Sequence, residues 1–148
     1  MQIFIDGDGS PVKDDVIELA GQAGFFVTIV TSVDHYTEKK YPDFVSIVYV
    51  DKGLDSADFK IVGLIQKGDL LITQDYGLAS LVLGKGVRVL HQTGLEFTQQ
   101  NIENMLEARY YGAKVRQAGG RTKGPKPYSK EDRQHFRQAL SNILLPEQ

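Results

Sequence analysis

The stretch 1–11 constrains the fold more than any other part of the chain. It begins with Met-Gln-Ile-Phe-Ile, an apolar run typical of a buried β-strand, and continues directly with Asp-Gly-Asp-Gly-Ser-Pro. Ser10 suits a helix N-cap and Pro11 the first helical position, where a missing N–H costs nothing. The pattern predicts that Asp6 and Asp8 lie in a strand-to-helix turn, where α/β sheets bind ligands. The alternative is that both acids are ordinary residues of a Gly-rich turn.

The composition is that of one globular domain. With 148 residues, of which 41% are hydrophobic and 24% charged, the chain suffices for one core, and we expect a single domain over 1–148. No stretch approaches the ~18 consecutive apolar residues of a membrane span. The first residues lack the basic start of a signal peptide, so a cytoplasmic location is expected. The absence of cysteine excludes disulfides and Cys-ligated zinc, which leaves carboxylate, histidine and hydroxyl chemistry.

Strand and helix patterns alternate along the chain. After the first strand, runs of β-forming residues occur at 25–30, 45–50, 69–75 and 87–91, and apolar residues at helical spacing separate them. This alternation predicts a parallel sheet with right-handed crossovers. We therefore expect an α/β fold of three layers, α/β/α, with a five-stranded, mainly parallel sheet of strand order 3-2-1-4-5.

Carboxylates follow three of these strands. Asp6 and Asp8 follow strand 1, and Asp75 ends strand 4. Asp55 and Asp58 flank the start of the helix after strand 3. Because the carboxyl ends of parallel strands meet at one edge of a sheet, these five side chains are expected to converge there. N-capping and the helix dipole alone would also account for Asp55 and Asp58.

A bare cluster of carboxylates opposes folding. Two unit charges about 4 Å apart repel by roughly 4 kcal/mol at an effective dielectric constant near 20. A divalent cation removes this cost, and oxygen donors without cysteine or paired histidine select Mg²⁺ or Mn²⁺ rather than zinc. Such ions bridge phosphate oxygens and stabilise in-line displacement at phosphorus. The predicted reaction class is therefore phosphate chemistry with Mg²⁺ or Mn²⁺ as cofactor.

Positive charge is concentrated near the C-terminus. The chain has a net charge of -2, yet residues 109–137 contain nine Lys or Arg against two acids. Within this part, 112–128 is predicted to be a basic Gly/Pro-rich loop, and 129–145 a helix that begins with a capping box at Ser129. A polyanionic partner would explain the charge, because phosphate binding releases condensed counterions. The alternative is a solvated loop beside a charged surface helix. The residues expected to contact nucleic acid are Lys13, Arg116, Arg121, Lys123, Lys126 and Arg133.

Four short motifs occur in a specific order. They are Asp6-Gly-Asp-Gly-Ser-Pro-Val-Lys13, Gly53-Leu-Asp-Ser-Ala-Asp58, Ile72-Thr-Gln-Asp75-Tyr-Gly-Leu-Ala79, and a C-terminal set of Arg116, Gly119-Gly120, Gly124-Pro125 and Asp132-Arg133. Together they resemble the YaiI/YqxD family of uncharacterised bacterial proteins, although that family commonly has Ala-Asp-Ala-Cys in place of Gly-Asp-Gly-Ser. The family in turn resembles the PIN-like nuclease superfamily, whose α/β fold gathers acids for Mg²⁺ or Mn²⁺ and cleaves RNA or DNA. The resemblance implies a PIN-like fold and metal-binding, catalytic roles for Asp6, Asp8, Asp55, Asp58 and Asp75.

These observations lead to one expected function and two alternatives. The expected function is that of a metal-dependent nuclease, in which metal-activated water attacks a phosphodiester of nucleic acid, with RNA favoured over DNA. A noncatalytic nucleic-acid-binding module would instead keep the acids for a structural cation. A phosphatase similar to the haloacid dehalogenases would use Asp6 as nucleophile and Asp8 as acid and base. Against that last alternative, Ser10 replaces the usual threonine, and no catalytic lysine or cap is evident.

Overall fold

A computed structural model describes residues 1–53, 56–119 and 127–146, which form a mixed sheet with helices on both faces. The strands are β1 (Ile3–Asp6), β2 (Val27–Ser32), β3 (Val45–Val50), β4 (Leu70–Ile72), β5 (Arg88–Leu90) and β6 (Glu96–Phe97). The helices are α1 (Lys13–Ala23), α2 (Ser56–Leu64), α3 (Tyr76–Leu83), α4 (Gln99–Gln117) and α5 (Lys130–Leu144). A short 3-10 helix, Val33–His35, follows β2.

The sheet has the order β3-β2-β1-β4-β5-β6. The first five strands in this order pair in parallel, and β6 pairs antiparallel with β5. The predicted order 3-2-1-4-5 is therefore confirmed, but the predicted number of five strands is wrong. The sixth strand has only two residues, which is too short for an alternating pattern to distinguish it from a loop.

Apolar side chains cover both faces of the sheet. Ile3 and Ile5 of β1 belong to one core cluster, which also contains Val16 of α1 and Phe136 of α5. Phe4, between them in the strand, belongs to a second cluster with residues of α2, α3 and α4. Successive side chains of a strand point to opposite faces, so this division gives the three layers that the sequence predicts. In the described ranges, no helix has both the length and the apolarity needed to cross a membrane.

The first helix begins later than the sequence predicts. α1 starts at Lys13 after the N-cap residue Val12, and no side chain caps it, so the predicted N-cap role of Ser10 is wrong. The Ser10 amide donates to the Gly7 carbonyl at 3.2 Å instead, which folds the end of the strand into a turn of its own. The helix ends at Gly24, a residue type that favours helix termination in the sequence, because it adopts a left-handed φ of 82°.

The C-terminal part contains more helix than the sequence predicts. α4 continues to Gln117, so the beginning of the predicted loop 112–128 is helical instead. A single glycine opens that helical portion, and a helix tolerates one glycine at a cost of about 1 kcal/mol. α5 begins and ends within one residue of the predicted helix 129–145, and Ser129 forms the predicted capping box with Asp132.

A buried carboxylate joins α1 to α5. The side chain of Asp15 is only 10% exposed and contacts the guanidinium groups of both Arg133 and Arg137. Arg137 Nη1 donates to Asp15 Oδ1 at 2.9 Å and to Glu18 Oε2 at 3.1 Å. Arg133 Nη1 also donates to the Pro11 carbonyl at 3.1 Å. Arg133, which the sequence suggested for nucleic acid, therefore fastens the turn before α1 to the last helix.

Replacing Asp15 with alanine is expected to lower the free energy of unfolding by about 2–3 kcal/mol. Two guanidinium groups lose a buried partner, and the effect is less than for a fully buried pair because water reaches both arginines. Glu18→Ala is the matched control: it removes an exposed partner of Arg137 and should cost less than about 1 kcal/mol. Urea denaturation measures both variants. Equal losses of unfolding free energy would show that the buried Asp15 carboxylate contributes no more than the exposed Glu18.

Candidate active site

An open cavity of about 890 Å³ lies at the carboxyl edge of the parallel strands. The residues that follow β1, β3, β4 and β5 line it, together with the starts of α2 and α5. It adjoins the boundary between β1 and β4, where the connections leave in opposite directions and α/β sheets bind ligands. No lysine or arginine of the described ranges lines the cavity. Among the described residues, the acids that line it are Asp6, Asp8, Asp51, Asp58, Asp75 and Asp132.

Asp6 ends β1 with its carboxylate half-buried at the cavity wall. The Thr73 hydroxyl donates a hydrogen bond of 2.9 Å to Asp6 Oδ2. Burial raises the pKa of Asp6; the Thr73 hydrogen bond opposes this rise, and the negative charges of Asp75 and Asp8 add to it. The position therefore favours a bound proton or cation over a bare negative charge.

Asp8 lies in the turn after β1 and is held in its ionised form. The Thr31 hydroxyl and the Ser32 amide both donate to Asp8 Oδ1, at 2.5 Å and 3.1 Å. Burial by itself raises the pKa of Asp8, but these two hydrogen bonds and the nearby charges of His35 and Lys13 outweigh it and lower the pKa. Asp8 therefore stays negatively charged at neutral pH.

Asp75 combines a place in the cavity with a structural role. It is the N-cap of α3, and its Oδ1 accepts a hydrogen bond of 3.1 Å from the Leu78 amide. The amide of Asp75 donates to Thr73 Oγ1 at 3.0 Å. Thr73 thus connects the backbone at Asp75 with the carboxylate of Asp6. The sequence places Asp75 at this edge, as observed, but it did not single out Thr73. The position of this hydroxyl residue directly after a buried strand could have indicated its role.

The other residues that were predicted to belong to the site lie in different places. Asp58 lines the cavity from the first turn of α2. Lys13 lies near enough to Asp8 to lower its pKa. The residues that lie outside the described ranges are Asp55, Arg121, Lys123 and Lys126, and the side chain of Arg116 is likewise not described.

The donor set fits a hard divalent cation. Carboxylate oxygens are the ligands that Mg²⁺ and Mn²⁺ prefer, and Asp6, Asp8 and Asp75 present them at one cavity. Within the part of the chain that the structure describes, no three carboxylate or imidazole groups stand close enough to form a ready-made metal site. Mg²⁺ usually takes one or two protein carboxylates and keeps several waters. The arrangement therefore suits an ion that is completed by water and substrate.

Comparison with known sequences places the chain in a family. A family model described as "Uncharacterized BCR, YaiI/YqxD family" matches residues 4–146. The chain belongs to this family. It is 64% identical to a UPF0178 protein of Enterococcus faecalis over 144 residues, which is 97% of each chain. It is 50% identical to a UPF0178 protein of Bacillus thuringiensis over 146 residues, which is 99% of each chain. No solved structure matches it significantly.

In this member of the YaiI/YqxD family, the cavity also contains a group of aromatic and amide side chains. Tyr76 opens α3, His91 and Gln92 follow β5, and Tyr128 precedes α5. The Tyr128 hydroxyl donates to the Gln92 carbonyl at 2.7 Å. The sequence places His91 at this edge, where a structural role is the simpler interpretation, and it suggests base stacking for Tyr128 only as the alternative to packing; Tyr76 and Gln92 were missed. The sequence feature that could have indicated this side of the cavity is the histidine at the end of a parallel strand.

Proposed function

We propose that the protein is a nuclease that hydrolyses phosphodiester bonds with Mg²⁺ or Mn²⁺, RNA being the favoured substrate. The observation that carries the proposal is that Asp6 and Asp8, together with Asp75 from a distant stretch of chain, line one open cavity. Mutual repulsion contributes to the raised pKa of Asp6, and a divalent cation is the partner that relieves it. A PIN-like architecture, with acids at the carboxyl edge of a parallel sheet, belongs to the same proposal.

The acids and Thr73 would have different roles in holding the ion at this site. Asp8, kept ionised by the Thr31 and Ser32 hydrogen bonds, would supply a permanently charged ligand. Asp6 or Asp75, whose relative position Thr73 fixes, would supply a second carboxylate, and water and substrate would complete the coordination. When bound, the ion supplies charge neutralisation at phosphate oxygens and a more acidic water.

A cleavage assay tests the proposal. Labelled single-stranded RNA and DNA oligonucleotides are incubated with the protein in Mn²⁺, in Mg²⁺ and in EDTA. Cleavage of RNA that requires either ion, and that is slower for DNA, is the expected result. Binding without cleavage under Mn²⁺ would favour the noncatalytic module. A phosphoryl group trapped on Asp6 would favour the phosphatase instead.

Metal binding is expected to raise the melting temperature. A ligand at a hundred times its Kd stabilises a protein by about 2.7 kcal/mol, which corresponds to roughly 5–10 °C for a chain of this size. Asp8→Asn should lose most of this response to Mn²⁺. Asp14→Asn is the control, because Asp14 is 82% exposed and pairs with Lys39 instead of lining the cavity, and it should respond like the wild type. Differential scanning fluorimetry measures all three, and indistinguishable shifts would count against the site.

A further inference from the structure

The cavity extends beyond the carboxylates that the proposed chemistry uses. Its volume of about 890 Å³ lies at the upper end of the roughly 300–1,000 Å³ typical of small-molecule sites. An ion with its waters and one phosphate group fills only a small part of such a volume. The remaining wall includes the side chains of Tyr76, His91, Tyr128, Gln74 and Gln92.

Tyr76 and His91 form a rigid aromatic wall. Their ring centroids lie 6.3 Å apart, and both rings meet the buried Phe97 edge-on, at 5.6 Å and 5.7 Å. The Thr93 amide donates to His91 Nδ1 at 3.1 Å, which fixes the imidazole. Burial lowers the pKa of His91, while Asp132 opposes the shift, so the ring is neutral at physiological pH. Rings held in this way lose little freedom when a ligand binds.

Tyr128 adds a third ring with its own restraints. Its hydroxyl donates to the Gln92 carbonyl at 2.7 Å, and the guanidinium carbon of Arg133 lies 5.3 Å from its ring centroid. Arg133 is itself held by Asp15. The ring therefore packs against the Asp15–Arg133 contact that joins α1 to α5, and it lines the cavity from a fixed position.

Two amide side chains in the cavity are available to a ligand. Gln74 and Gln92 line it, and neither side-chain amide has a hydrogen-bond partner among the described residues. An amide presents both a donor and an acceptor, and can bond to the edge of any base. A phosphate group offers acceptors only, so it would bond to the amide N–H donors and leave the amide oxygens unpaired.

We infer that Tyr76, His91, Tyr128 and Gln92 form a subsite for one unstacked nucleobase, beside the phosphate position at the aspartates. Aromatic rings bind bases of any sequence by stacking, and polar side chains bond to the base edges that a single strand exposes. The inference rests on the proposed function and narrows its substrate to single-stranded nucleic acid. A paired base would have its edge occupied and its faces covered by neighbours.

Nucleoside binding without metal separates this subsite from the phosphate position. Isothermal titration in EDTA compares adenosine with adenosine 5′-monophosphate and ribose 5-phosphate. Adenosine is expected to bind, and the monophosphate to bind about fivefold more weakly, because its phosphate meets Asp6, Asp8 and Asp75 without a cation. Mn²⁺ should reverse this order. Ribose 5-phosphate should show no binding in EDTA.

Variants locate the bound base. Tyr128→Leu should weaken adenosine binding about tenfold, whereas Tyr128→Phe, which keeps the ring, should stay within about twofold. Gln92→Ala should weaken it about threefold, and serves if Tyr128→Leu fails to fold. Tyr36→Leu is the control, because Tyr36 is an exposed tyrosine that packs on Tyr49 outside the cavity.

The outcomes for the subsite and for the nuclease are distinguishable. Absent adenosine binding, or full binding by both Tyr128→Leu and Gln92→Ala, would overturn the subsite even if Mn²⁺-dependent cleavage were observed. Adenosine binding that these variants weaken would support the subsite even if no oligonucleotide were cleaved, and the proposed nuclease activity alone would then fail.

Discussion

Asp6→Asn is expected to reduce metal-dependent cleavage by at least about a hundredfold and, at the same time, to stabilise the metal-free protein. Asparagine retains an oxygen that accepts the hydrogen bond from the Thr73 hydroxyl. It removes a half-buried negative charge that Asp75 and Asp8 repel. Activity and apo stability should therefore move in opposite directions, which an ordinary structural aspartate would not produce.

The stability gain in this variant should depend on pH. The pKa of Asp6 is raised above its ordinary value of 3.8, so the unfolded chain releases this proton at lower pH than the folded protein does. Folding becomes less favourable as the pH rises from that value through the folded pKa, and the loss is constant above it. Asp6→Asn should therefore have the same free energy of unfolding as the wild type below pH 3.8 and a higher one at neutral pH. Urea denaturation in EDTA at both pH values measures the difference.

Asp8→Asn is the companion variant with the opposite sign. The pKa of Asp8 is lowered, because the hydrogen bonds from Thr31 and Ser32, together with the charges of His35 and Lys13, outweigh the effect of burial. Its charge therefore stabilises the fold above the ordinary pKa, and this contribution disappears as the pH falls through the folded pKa. Asp8→Asn should lose both cleavage and neutral-pH stability. If the two variants changed stability in the same direction, the electrostatic account of the site would be wrong.

Gly94→Ala is expected to lower the free energy of unfolding by about 3 kcal/mol or more. Gly94 has a left-handed φ of 93°, and a Cβ atom there would lie 2.7 Å from the His135 carbonyl oxygen and 3.0 Å from the Phe136 nitrogen. These are backbone atoms of α5 and cannot rotate away, unlike the end of a flexible side chain. The turn after β5 and the last helix would have to separate, and both contribute to the cavity wall.

Gly68→Ala is the matched control for this prediction. Gly68 has nearly the same φ, 90°, but a Cβ atom there would meet nothing within 4 Å. It should therefore cost only the left-handed conformation, about 1–2 kcal/mol. Urea denaturation compares the two, and adenosine binding should weaken only in Gly94→Ala. Equal losses of stability would show that the close approach to α5 does not matter.

Several local elements could be predicted because their signals lie within a few residues. The apolar run before Asp6 predicted β1, and the glycine at position 24 predicted the end of α1. The capping box at Ser129 predicted the start of α5. The start of α1 was missed, because the residues after Asp8 form a turn that competes with the helix.

Long-range contacts account for most of the remaining differences. Asp15 lies in the first turn of α1, where the helix dipole alone favours an acid, but its partners Arg133 and Arg137 lie 118 and 122 residues away. The same contacts give Arg133 an internal role that its basic surroundings did not indicate. No local pattern encodes such pairs, since they form only when α1 and α5 pack on the same face of the sheet.

The sequence by itself determined that Asp6, Asp8 and Asp75 would share one edge, because alternating strands and helices wind in one hand and place the carboxyl ends of parallel strands together. Only the tertiary structure decided in which direction the pKa values of Asp6 and Asp8 shift. The pKa of Asp6 rises and that of Asp8 falls according to burial and to hydroxyl and amide donors on β2 and after β4. These donors come from distant parts of the chain, and their distances exist only once the sheet has formed.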